Sequence, residues 1–253
     1  MRASGGLLAA ALASLLGACA QPAPEEAAAY AAPRTSFGDP DLQGIWQAMN
    51  AAVWNLEDHT AELGIPAGQS VVVGAAIPYR PEALAQRETN RSNRLTDDPE
   101  ASCKMVGVPR ITYMPYPFQI VQTPGQVTML SEYVHTVRTI YLDSDHPADP
   151  IQPYWMGDSR GHWEGDTLVV DVVNFTDQTW LDRSGNFHSD ALHAVERYTR
   201  TGPDHLLYEV TIEDPQVFTQ SWQIRMPLYR RLEDNARILE YECYAYLEET
   251  RSE

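Results

Sequence analysis

Between Phe118 and Tyr246 the chain is cut into short alternating runs by turn-forming residues, and this punctuation constrains its fold more than any other feature. "FQIVQT" and "QVTMLSEY" are split by Pro124 and Gly125, and "HTVRTIYLD" follows after a short link. "GHWEGDTLVVDVV" turns at Gly165 and Asp166, "AVERYTRTGPDHLLYEVTIED" at Gly202 to Asp204, and "LYRRLEDNARILEYECY" at Glu233 to Asn235. In such runs successive side chains point to opposite faces, and a tight turn joins each run to its neighbour. The outcome is a mainly β, antiparallel up-and-down meander of about eight to ten strands. A meander either closes on itself or splits into two packed sheets. Closure leaves no unpaired edge, so a barrel is expected.

Residues 50 to 95 have a different character. In "NAAVWNLEDHTAEL" Ala52, Val53, Leu56 and Leu63 fall at helical spacing, and in "PEALAQRETNRSNRL" Pro81 stands where a helix begins. One or two helices are expected here, covering an end or face of the sheet. "GVPRITYMPYPF" then reads as an extended, proline-punctuated connection.

The first residues, "MRASGGLLAAALASLLGACAQP", carry Arg2 and then an apolar run too short to span a bilayer. "LGAC", with Gly17 and Ala18 before Cys19, resembles the lipobox of bacterial lipoproteins. The resemblance implies a signal peptide over 1–18, lipidation of Cys19, and, with Ala20 rather than an aspartate next, the periplasmic side of the outer membrane. Residues 19–36, rich in Ala, Pro and Glu, read as a flexible tether. A single folded domain is expected over 37–246, with a C-terminal tail at 247–253. Cys103 and Cys243 are left as an even remainder, which in an oxidising compartment pairs as a disulfide. The formal charge of −17 repels phosphate backbones and argues against a nucleic-acid partner, leaving the lipid anchor as the contact with the membrane.

"GIW", with Gly44 and Trp46, resembles the Gly-x-Trp that opens the first strand of lipocalins and implies a lipocalin-like barrel. The wider run "GVPR", "PFQIVQTPGQV", "SRGHWEGDTLVVD", "ALHAVERY" and "TIEDP" is similar to a large group of secreted bacterial proteins and lipoproteins. That likeness brings no activity with it, so the chemistry is read from the residues.

"FHSDALHAVERY" brings His188, His193 and Glu196 close together. As a helix, His193 and Glu196 would share a side; as a strand, which the downstream turn favours, they face opposite ways, and His188 lies in the loop before. In "SEYVHTVRTIYLD" a short loop can set Glu132 against Arg138 with His135 at its tip, either as a clamped carboxylate with a proton carrier or as a plain surface ion pair. Asp171 stands among valines, turned to water or held in a polar lumen where desolvation would raise its pKa. No metal-ligand spacing, phosphate loop or dinucleotide fingerprint occurs, so no cofactor and no metal are expected. The leading expectation is a barrel holding a small apolar or aromatic molecule, lined by Trp155, Trp163, Asn174, Trp180, Tyr198 and Trp222. The alternative is a cofactor-independent isomerase, lyase, hydratase or hydrolase whose acid–base residues come from Glu132, His135, Arg138, Asp171, His193 and Glu196. A third is an envelope scaffold.

Overall fold

The computed structural model describes residues 30–62, 65–74, 76–149 and 152–251. The signal peptide, Cys19, most of the tether and Leu63 lie outside the described residues.

Among the described residues nine strands pair in chain order, and the last returns to the first. They are β1 (Gly44–Ala48), β2 (Phe118–Thr123), β3 (Gln126–Ser131), β4 (Val137–Leu142), β5 (Asp158–Glu164), β6 (Thr167–Val173), β7 (His193–Gly202), β8 (His205–Glu213) and β9 (Trp222–Arg230). The expected barrel is what the chain forms, with one departure from an all-antiparallel meander. Directions cannot alternate all the way round a ring with an odd number of members, so one neighbouring pair has to run parallel. That pair is β4 and β5, joined only at Tyr141↔Arg160 and Leu142↔Gly161. Parallel neighbours cannot be linked by a hairpin, so between Leu142 and Asp158 the chain returns to the end where β4 began. Asp143 N–H donates to the Gly161 carbonyl at 2.8 Å as this return begins.

Side chains alternate as a barrel wall demands. Trp46, Ile140, Leu168, Val170, Tyr208 and Leu228 face inward and are 0% exposed, so no water-sized void touches them. The interior is filled at these positions. Beyond β1, the edge of β9 meets the long segment before Pro81 at the bridge Val72↔Ile224, and Tyr79 bridges Phe218 just ahead of the strand.

Helix α1 (Pro81–Ser92) starts on its proline as expected, followed by α2 (Arg94–Asp97) and a 3-10 turn at Pro99–Ser102. The helix expected from residue 50 does not form. Asn50 Oδ1 accepts from Ala52 N–H at 3.0 Å and Asn55 Oδ1 from Glu57 N–H at 3.0 Å, and such side-chain turns compete with the helical ladder. Ala52, Val53 and Leu56 are nonetheless fully buried, packed as an irregular plug. The last expected hairpin is also corrected. Because β1 already pairs with β9 at Trp46↔Arg230 to Ala48↔Leu228, no tenth strand follows among the described residues, and the chain turns into α3 (Cys243–Arg251). The stretch read as a tail from residue 247 is therefore helical to Arg251. A bridge between Arg34 and Pro40 places the end of the expected tether against the fold. Cys103 and Cys243 form the expected disulfide, 140 residues apart with their Cα atoms separated by 5.6 Å.

Candidate acid–base site

The register of β7 divides the residues read as one cluster. His193 lies opposite Glu213 on the outer surface, whereas Glu196 lies opposite Val210 and points inward, fully buried. Tyr198 shares the inward face. Glu196 Oε2 accepts from Arg138, while Oε1 accepts from Tyr198 and Tyr208 hydroxyls at 2.9 and 2.8 Å. Arg138 Nε donates to Ser159 Oγ at 3.0 Å. Burial pushes both phenols up, and the Glu196 charge adds to this, so they stay protonated donors. Arg138 Nη1 is buried without a hydrogen-bond partner, but the network is sealed off from the surface, so it holds strands together from within and offers a substrate no approach.

The outer wall carries a second constellation. Arg160 grips Asp158 with two bonds, Nε to Oδ1 at 2.6 Å and Nη2 to Oδ2 at 2.9 Å. Asp158 Oδ1 lies 2.6 Å from His146 Nδ1, and His146 Nε2 lies 2.9 Å from Asp171 Oδ1. The other oxygen of Asp171 lies 2.9 Å from His193 Nε2. His193 Nδ1 then faces Glu213 at 3.6 Å, beyond hydrogen-bond distance. Five side chains thus form one line, Arg160, Asp158, His146, Asp171 and His193, and its last nitrogen faces the Glu213 carboxylate on a partly exposed imidazole.

Burial pushes the Asp171 carboxyl up, but hydrogen bonds from His193 and His146 outweigh it and hold the group below the usual carboxylate range. At Asp158 burial is likewise outweighed, there by Arg160 and His146. Two ionised carboxylates therefore orient two imidazoles. With Nε2 donating to Asp171, the lone pair of a neutral His193 sits on Nδ1, where it can take a proton from a molecule outside. Glu213 also lines a cleft of about 310 Å³ with Arg80, Asp214, Pro215, Phe218 and Ser221. Glu213 is thus shared between this cleft and the end of the line.

The line exists because of the parallel step in the wall. Between β4 and β5, His146 reaches the outward side chains Asp158 on β5 and Asp171 on β6. Asp158, Arg160 and Asp171 are outward positions of those strands, with Arg160 opposite Asp171. Sequence reading singled out Asp171 and His193 but missed His146, Asp158 and Arg160. Asp158 and Arg160 could have been found from the i, i+2 spacing of "DSR" and its pairing with β6. His146 carried no local signal.

The other singled-out residues lie elsewhere. Arg138 does not meet Glu132; Glu132 Oε2 accepts from Leu239 N–H at 3.0 Å, and His135 Nε2 lies 2.8 Å from exposed Glu242. Trp155 lies under Lys104, whose ammonium is 5.7 Å from its ring centre, and Asn174 Nδ2 donates to the Gln152 carbonyl. Trp163 and Trp222 pack at the core, and Trp180 bridges Phe187. The six do not converge on one cavity. His188 is buried, with Nε2 2.6 Å from Thr179 Oγ1.

Asp182, which sequence reading did not single out, is fully buried and accepts from Leu56, Ser184 and Asn186 N–H groups and from Asn186 Nδ2. Burial outweighs these bonds and pushes its carboxyl up from 3.8 to about 6. A raised carboxyl contributes stability in its neutral form, fully present below about pH 4 and lost as pH rises through about 6. The unfolding free energy of the wild type relative to Asp182→Asn is therefore expected to rise by about 2 kcal/mol from pH 7.5 to pH 4, measured by urea titration. A pH-independent difference would contradict the assignment.

Compared with protein-family models, with curated proteins and with solved structures, the chain finds no match.

Proposed function

We propose that the protein is an exported, lipid-anchored barrel that turns over a small apolar or aromatic molecule by cofactor-independent acid–base chemistry on its outer wall. His193 is the base and proton carrier, and Asp171 sets its orientation. His146, Asp158 and Arg160 hold Asp171 in turn. The observation that carries this reading is the line of hydrogen bonds that ends on the partly exposed imidazole of His193, with Glu213 beside its second nitrogen. The filled interior turns the reading away from a molecule held in the lumen, and the cleft beside Glu213 supplies the substrate space instead. Attachment through Cys19 to the periplasmic side of the outer membrane rests on the "LGAC" ending of the apolar run.

A base that removes a carbon-bound proton reveals itself by exchange before any product is known. The mature protein is incubated in D2O with a panel of small aryl and alkyl ketones and esters, and deuterium incorporation and products are read by NMR. Positioned proton transfer contributes about 10²–10⁴-fold, so His193→Ala is expected to lower the exchange rate at least about a hundredfold. Asp171→Asn should act in the same direction, with the far-ultraviolet circular dichroism of both variants unchanged. Wild-type rates in both would remove the outer wall from the chemistry. Cys19→Ser tests the anchor, and is expected to release the protein from the membrane fraction.

A further inference from the structure

Trp54, Ile65, Arg94, Leu95, Asp98, Glu100, Ala101 and Arg183, none of them a member of the outer-wall line, line a pocket of about 260 Å³ beside α2. Its carboxylates are already committed. Asp98 accepts from Arg110 at 2.8 and 2.9 Å, and Glu100 accepts from Arg110 at 2.5 Å and from Arg183 at 2.8 and 2.5 Å. Burial alone would raise the Glu100 carboxyl, but Arg183 and Arg110 hold it below its usual range. Arg94 differs. Its Nη1 donates to the Arg91 carbonyl at 3.2 Å, and no carboxylate lies within ion-pair distance of it among the described residues. Of the two guanidiniums that line the pocket, Arg183 is thus held by Glu100, and Arg94 is left without a carboxylate partner among the described residues.

The rest of the pocket is apolar and aromatic. The Arg183 guanidinium sits over the Trp54 ring at 5.1 Å, fixing the indole, and Leu95 at the rim is 83% exposed. An exposed leucine beside a held tryptophan and an uncommitted guanidinium suits a planar apolar body with a single negative charge. A guanidinium fork matches a carboxylate with two parallel bonds. A cation would find both acidic groups occupied.

We infer that this pocket binds a small aromatic carboxylate, its ring against Trp54 and Leu95 and its carboxylate on Arg94. The site is separate from the proposed base, and either can fail without the other.

The test is calorimetric titration of the whole mature chain with 2-naphthoate and with its neutral analogue 2-naphthylmethanol. The naphthoate is expected to bind at least tenfold more tightly. Arg94→Gln should erase that preference while leaving the neutral probe's Kd unchanged, and Trp54→Ala should weaken both. His193→Ala should leave naphthoate binding as in the wild type. Equal affinity for the two probes overturns the inference, as does a preference that survives Arg94→Gln. Loss of naphthoate binding in His193→Ala, or no binding of either probe to folded protein, overturns it as well.

Discussion

Arg138→Ala is expected to destabilise the barrel by about 3–5 kcal/mol, because it leaves a buried carboxylate without its cation. Glu196 is fully buried, and once the guanidinium is gone only the Tyr198 and Tyr208 hydroxyls remain to solvate it. Glu196→Ala should cost a similar amount by stranding Arg138, which is itself 4% exposed. The effect belongs to the broken pair and not to each residue. The double variant Arg138→Met, Glu196→Leu removes both charges and keeps apolar volume, and it should be less destabilised than the sum of the single variants. Urea titration of the four proteins measures this directly. Single losses below about 1 kcal/mol, the range of exposed pairs, would mean that water reaches the pair.

The second large effect is reduction of the Cys103–Cys243 bridge. The two residues are 140 apart, and in the loop-entropy model a closure of that size contributes up to about 5 kcal/mol. For a domain of this size that corresponds to a fall of about 10–20 °C in Tm. The bridge ties the start of α3 to the turn after α2, so it also decides whether the last helix stays docked. The Cys103→Ser, Cys243→Ser variant should therefore unfold at the temperature of the reduced wild type. A Tm unchanged by reduction would show that packing alone holds α3.

Much of the wall was legible in the sequence because strands and tight turns are local. Alternation and the pairs at Pro124, Gly165 and Gly202 are short-range signals, and they mark β2 to β3, β5 to β6 and β7 to β8. The opposite orientations of His193 and Glu196 follow from the same period of two. Residues 50–63 misled because asparagine side chains at 50 and 55 close turns that apolar spacing does not register. The final hairpin misled because closure is a global event: β9 takes β1, nearly two hundred residues earlier, as its partner. The candidate site was half legible for the same reason. Asp171 and His193 lie on regular strands, whereas His146 reaches them only through the crossover that an odd strand count imposes.

That odd count also makes the wall unequal around its circumference. Where β4 meets β5 the backbone supplies only two paired positions, and side chains take over from both sides. Inside, Arg138 on β4 holds Ser159 on β5 and reaches across to Glu196 on β7; outside, the Arg160 guanidinium lies 4.9 Å from the Tyr141 ring. Elsewhere the ladder would survive the loss of a side chain. At this seam side chains carry a share of the joining that falls to the ladder elsewhere, directly beneath the residues that carry His146 and Asp158.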